Sequence, residues 1–338
     1  MRPSTLTTTL QALIRRGRNV MIEGSPGLGK TELTKQAIKS LGPTFHTVFK
    51  HGPTMQPEDL ALPFKGANGR LDFLKAGWIP LAGDFDPEHH VVVVIDELAQ
   101  ASNEVQKTLA NLMQEREAYG DKLHANVSFI CTGNRTSDRA GASRILSHLR
   151  NRMVTLEFEP SLDDWCAWAL DHDVRPEIIS LMRFKPGLLN DFDPNRDINP
   201  TPRAWAEQVS GIVNDVEDGA IPMTVEFETI KGAVGEGAAS ECCAFLKIYR
   251  KLPNPDVVLM QPETTPVPEE PSVRFALAGA IAHRASVDNF DAVMKFARRL
   301  PAEFTVLIVL DSVRKCPEVQ SSKSFLQWAA TDGAKVLI

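Results

Sequence analysis

Short apolar runs alternate with helical-period stretches in the first half of the chain. The runs at 20–23, 44–49, 91–95, 127–131 and 153–158 are rich in β-branched residues, and they predict strands. Residues 91–95 are four valines and an isoleucine, the pattern of a strand buried on both faces, as in a parallel sheet. Between these runs, 5–16, 31–40, 102–117 and 144–152 read as helices. In 102–117, Val105, Leu109, Leu112 and Met113 share one face, and Ser102 stands where a cap belongs. Strands alternating with helices predict a mostly parallel, doubly wound α/β sheet. The segment 52–88 is rich in proline and glycine, and a hairpin over 62–73 is expected around Asn68 and Gly69, a strong short turn signal. Residues 118–122 read as a tight turn.

Beyond Pro160 the pattern becomes helical, with helices expected at 163–170, 176–184, 201–213, 224–233 and 236–250. Prolines recur from Pro253 to Pro271, which marks 251–272 as a linker. The remainder predicts further helices, with apolar faces such as Phe275, Leu277 and Ile281, or Phe304, Leu307, Ile308 and Leu310. The expected division is 1–159 as an α/β core with an insertion at 52–88, a helical region at 160–250, the linker, and a helical region at 273–338. A chain of 338 residues has room for more than one core.

Composition narrows the class. With 43% apolar and 24% charged residues, the chain reads as a soluble globular protein. No apolar run approaches the ~18 residues of a membrane span, and the first residues lack the apolar core of a signal peptide, so a cytoplasmic location is expected. A net charge of −6 argues against a constitutive nucleic-acid binder. Arg135, Arg139, Arg144, Arg150 and Arg152 nevertheless cluster in sequence. The five cysteines show no metal-ligand spacing and read as reduced thiols, while His46, His51, His89 and His90 lack the frame of a metal site.

Two motifs carry chemistry. Residues 24–31 fit the spacing GxxxxGK[ST] of a phosphate-binding P-loop, after one predicted strand and before a predicted helix. Gly24, Gly27 and Gly29 let the backbone curl, so that N–H groups of the loop, which also contains Ser25, Pro26 and Leu28, converge on phosphate oxygens. Lys30 adds charge beside the β/γ-phosphates of ATP, and Thr31 offers a hydroxyl to Mg²⁺. The helix that starts here, with Glu32 in its first turn, points its positive dipole end at the anion. The second motif is Asp96 and Glu97 at the end of the buried strand, where open α/β sheets bind ligands. Asp96 suits the surroundings of Mg²⁺, and Glu97 suits the base that polarises an attacking water.

With these landmarks in order, residues 6–215 resemble the AAA+ ATPases and, within them, the MoxR branch. The resemblance places the helix after Walker B over 101–117, and sensor 1 at Asn134 after Cys131, Thr132 and Gly133. It places the arginine finger at Arg152, just before the final predicted strand, with Arg150 as the close rival, sensor 2 at Arg203 in the stretch 199–205, and the branch's helix-2 insertion at 56–73. It implies an AAA+ P-loop domain with a five-stranded sheet and a helical lid over 160–250. Asn134, a neutral amide, is expected to orient water beside Glu97. A finger arginine is expected to reach the γ-phosphate of a neighbouring subunit, and Arg203 the same phosphate from the lid. One departure stands out: the family often has Asn-Pro at sensor 1, whereas Arg135 follows Asn134 here.

The resemblance implies a ring-forming ATP hydrolase, with a hexamer favoured, that remodels or chaperones a protein client such as a von Willebrand factor A-domain protein. The alternative is a nucleic-acid-handling AAA+ ATPase of the clamp-loader or replication-initiation type, which DNA-stimulated hydrolysis would mark. A small-molecule kinase is the third class, and release of free phosphate separates hydrolysis from it.

Overall fold

A computed structural model describes residues 1–135, 145–331 and 333. The described chain forms two compact units, Met1–Pro160 and one from Ser161 onward.

The first unit is built on strands β1 (Val20–Glu23), β2 (Phe45–His51), β5 (His90–Asp96), β8 (Val127–Gly133) and β9 (Val154–Glu157). They form a parallel sheet in the order β2-β5-β8-β1-β9. Both of its faces are covered. Val91, Val93 and Ile95 of β5 enter one apolar cluster with Met21, Phe129 and Cys131, while Val92 and Val94 enter another with Val20, Ile22 and Ile130. The unbroken apolar run thus serves two cores at period two. Helices α1 (Pro3–Arg15) and α2 (Lys30–Lys39) cover one face through Leu6, Leu10, Ile14, Ala37 and Ile38. Helix α3 (Asn103–Glu115) covers the other with Val105, Leu109 and Leu112; its cap is Ser102, whose Oγ accepts from the Val105 N–H at 3.3 Å. The expected helix over 144–152 is confined, in the described residues, to α4 (Ser147–Arg150), and Arg139 and Arg144 lie outside those residues. Buried Gln106 of α3 holds the entry to α4: its Oε1 accepts from the Leu146 N–H at 3.0 Å.

Two antiparallel ribbons interrupt this pattern. Strands β3 (Ala61–Lys65) and β4 (Leu71–Lys75) pair around Gly69, which adopts φ +75°, a left-handed conformation that costs glycine little. Leu62, Phe64, Leu71 and Leu74 of this hairpin are exposed. The residues read as a turn at 118–122 form a second ribbon, β6 (Glu117–Ala118) with β7 (Asp121–Lys122), turning through Tyr119 and Gly120 at positive φ. The Phe73 ring stacks on Tyr119 at 4.7 Å, and Lys75 pairs with Asp121 at 2.6 Å, so each ribbon braces the other.

The second unit is helical: α5 (Leu162–Asp171), α6 (Pro176–Phe184), α7 (Ser210–Glu217), α8 (Glu226–Val234), α9 (Glu236–Tyr249), α10 (Pro255–Met260), α11 (Pro271–Arg284), α12 (Phe290–Ala297), α13 (Ala302–Lys315) and α14 (Lys323–Thr331). A π-helical stretch, Ala204–Val209, leads into α7. The segment read as a linker at 251–272 contains α10, and Val258 and Leu259 are buried with Leu277, Phe290 and Val293. Two of its prolines start helices: Pro255 and Pro271 occupy the first turns of α10 and α11, where the missing N–H costs nothing. Leu310, expected on an apolar face, is exposed. All five cysteines are free thiols, and four of them are buried. No described helix is long and apolar enough to cross a membrane.

Candidate nucleotide site

The carboxyl ends of β1, β5 and β8 stand side by side, so the loop after β1 meets Asp96 and Asn134 at the sheet's topological switch. The Gly24 N–H donates to the Gly133 carbonyl at 3.3 Å, which ties the start of the loop to β8. Gly24 tolerates no side chain, since a Cβ there would lie 2.8 Å from the Phe158 carbonyl. Gly27 and Gly29 take φ of +73° and +86°, the left-handed conformations from which an N–H nest for an anion can be built.

Lys30 opens α2 and is buried, with its ammonium held by the carbonyls of Gly24 at 2.7 Å and Ser25 at 2.8 Å and by Asn134 Oδ1 at 2.9 Å. Thr31 donates to Asp96 Oδ1 at 2.6 Å. These two contacts join P-loop, Asp96 strand end and sensor position into one polar network, although Lys30 and Asn134 are 104 residues apart. The donor set, one hydroxyl and one carboxylate, has the oxygen chemistry that suits Mg²⁺, which keeps several waters and is bound by few protein oxygens. Among the described residues no group of three or more His, Cys, Asp or Glu side chains forms an all-protein metal cage. Ser25, Pro26 and Leu28 line the loop, and Glu32 lies on α2 bonded to Gln36 at 2.9 Å.

Three residues that sequence reasoning missed shape the acidic pair. Thr132, fully buried opposite Ile22, donates to Asp96 Oδ1 and accepts the Glu97 N–H at 3.2 Å. His51 pairs with Asp96 in the β2–β5 register, its Nδ1 3.9 Å from Asp96 Oδ2. Gly52 packs so closely that a Cβ would stand 2.7 Å from the Glu97 carbonyl. Glu97 itself is left-handed at φ 53°, ψ 44°, a conformation a non-glycine residue keeps only when its surroundings hold it. The place of Thr132 between the apolar run 127–131 and Asn134 was the available sign for it; His51 and Gly52 carried none.

The candidate fingers divide. Arg150 grips Glu23, the residue before the P-loop, with both ends of its guanidinium, one contact being 3.2 Å. Arg152 donates one nitrogen to the His148 carbonyl, and its Nε has no partner among the described residues. Arg135, at the position where the resemblance leads one to expect proline, pairs with Glu157 at 3.0 Å. Arg203 belongs to the second unit. It is half exposed at the start of the π-helical stretch, 4.0 Å from Glu207, and the neighbouring Trp205 is fully buried, with Nε1 donating to the Leu188 carbonyl at 2.7 Å. π-Helical turns of this kind are frequent at functional sites.

Residues 19–153 match the family model of the AAA domain, dynein-related subfamily. Over those residues the chain is thus similar to AAA domains, which supports ATP binding and hydrolysis as a general activity. No curated protein matches. Among solved structures, NtrX from Brucella abortus is 14% identical, over 91% of this chain and 67% of that one, with a TM-score of 0.39. The Thermotoga maritima RuvB Holliday junction branch migration motor is 18% identical over 82% and 80%, with a TM-score of 0.39. NtrX in complex with ADP is 15% identical over 72% and 65%, with a TM-score of 0.35. Likeness this distant says nothing about what this chain acts on.

Proposed function

We propose that this chain is a MoxR-type, ring-forming ATP hydrolase that couples hydrolysis to remodelling of a protein client. The observation that carries the reading is the network joining Lys30, Asn134, Thr31, Asp96 and Thr132, with Glu97 next to it. In this reading the N–H groups of 24–31 and the Lys30 ammonium bind the β/γ-phosphates. Thr31 and Asp96 would hold Mg²⁺, which would supply charge neutralisation on the phosphates. Glu97 takes the proton of the attacking water, and Asn134 orients that water.

Arg152 is the better finger, because Arg150 is already committed to Glu23 within its own subunit. A finger that serves a neighbour requires head-to-tail contacts, and these close into a ring, six-membered in this proposal. The exposed apolar hairpin β3–β4 sits in the insertion and supports a protein client, for which a von Willebrand factor A-domain protein is the candidate. Among the described residues nothing in the site favours nucleic acid as the client.

Affinity capture with Glu97→Gln tests the reading. The variant should bind ATP, release phosphate far more slowly and retain the client. Arg152→Ala should keep ATP binding yet lose on the order of 10³-fold in hydrolysis. A parent protein that remains monomeric with ATP while hydrolysing at full specific rate would exclude the trans finger.

A further inference from the structure

The second unit contains a cavity of about 530 Å³ between α5, α6, α11 and α13, within the size range of small-ligand sites. Four cations line it, and three of them are neutralised. Arg175 is held by Glu177 and Glu217, Arg183 by Asp311 (2.7 Å for one contact), and Arg314 by Asp171 at 2.6 and 2.9 Å. Lys315 differs. Its ammonium donates to His283 Nδ1 at 2.8 Å, and among the described residues it forms no ion pair with a carboxylate. Asp173, also on the cavity wall, attracts it only from longer range.

The donation from Lys315 fixes the state of His283. Its Nδ1 is the acceptor, so the ring proton sits on Nε2 and the imidazole is neutral. Burial, then Lys315 and Arg284, keep the ring's pKa below its ordinary value. A third polar group faces the same space: Ser180 is 1% exposed, lines the cavity, and its hydroxyl has no partner among the described residues. Gly279 makes room for that hydroxyl, since a Cβ there would lie 2.1 Å from it. A buried hydroxyl left unmatched is costly, and such groups in native proteins usually have a reason.

The cavity therefore offers an ammonium, a neutral imidazole and an orphan hydroxyl, while most of its carboxylates are consumed by arginines. We propose that it binds a small oxyanion, a carboxylate or a phosphate monoester, through Lys315 and Ser180. This site is separate in sequence from the P-loop and independent of the client assigned above.

The test uses the full chain with ADP present to cover the P-loop, and two probes, inorganic phosphate and succinate. Binding is followed by calorimetry and by protection of Lys315 from limited acylation, read by peptide mass spectrometry. Saturable binding of a probe that protects Lys315 is expected, and whichever probe binds tells phosphate from carboxylate. Lys315→Gln should weaken binding about tenfold, the worth of one charge-assisted hydrogen bond. Ser180→Ala should weaken it several-fold, and Asp173→Asn should tighten it by removing a repelling charge. Absence of saturable binding by both probes overturns the proposal. So does affinity indifferent to Ser180→Ala and Asp173→Asn, two variants that leave every ion pair intact should Lys315→Gln fail to fold.

Discussion

Thr132→Val isolates how the sheet positions the acidic pair. Valine keeps the β-branched shape in a fully buried place and removes only the hydroxyl. Asp96 then loses one of two hydroxyl donors to Oδ1, retaining Thr31 at 2.6 Å, and the Glu97 N–H loses its acceptor at 3.2 Å. A hydrogen bond to a charged group contributes about 1.5–3 kcal/mol. Glu97 also occupies a left-handed conformation that costs roughly 1–3 kcal/mol and depends on such anchors. If the lost contact is felt in the transition state, kcat falls about 10- to 100-fold, at ~1.4 kcal/mol per factor of ten. ATP affinity should change little, because Lys30 and the glycine nest are untouched. Phosphate release and binding of a fluorescent ATP analogue measure the two effects, with Thr132→Ser as the control that restores the hydroxyl. Parental turnover in the valine variant, or equal slowing in the serine variant, would refute the reasoning.

Arg150→Ala should lower the urea midpoint by the equivalent of about 1–2 kcal/mol, because it leaves the mostly buried Glu23 without its partner. Arg152→Ala should instead spare stability and abolish assembly-dependent hydrolysis, and the reverse pattern would exchange their roles. Thiol labelling at pH 8 should modify Cys316 first. Burial pushes the Cys166 thiol up to about 11 and also raises Cys131 and Cys242. Their reactive thiolates therefore form in the folded protein only as pH climbs well above 8, and rapid labelling of Cys166 at pH 8 would contradict its burial.

The strands, most helices and the P-loop were legible because their causes are local. Glycines at 27 and 29 supply positive φ, five apolar residues at 91–95 suit a doubly covered strand, and Asn68 with Gly69 turns a hairpin. Each of these signals acts within a few residues and needs no partner from elsewhere in the chain. The prolines of 251–272 misled for a related reason. Proline breaks a helix interior but begins one equally well, and only burial of Val258 and Leu259 against α11 and α12 decides between these outcomes. The order β2-β5-β8-β1-β9 was likewise beyond local reading, because burial of both sheet faces over the whole unit selects it. That order alone sets Thr132 beside Asp96 and brings Asn134 to Lys30. Arg150 and Arg152 show the same division. Two residues apart in sequence, they were close rivals there, with Arg152 favoured only by its place before the last strand, and the packing of α4 through Gln106 and Leu149 gives Arg150 to Glu23 and leaves the Arg152 Nε without a described partner. Which polar groups exist is written residue by residue, but which of them meet depends on long-range burial, and that is settled only when the sheet and its helices close on one another.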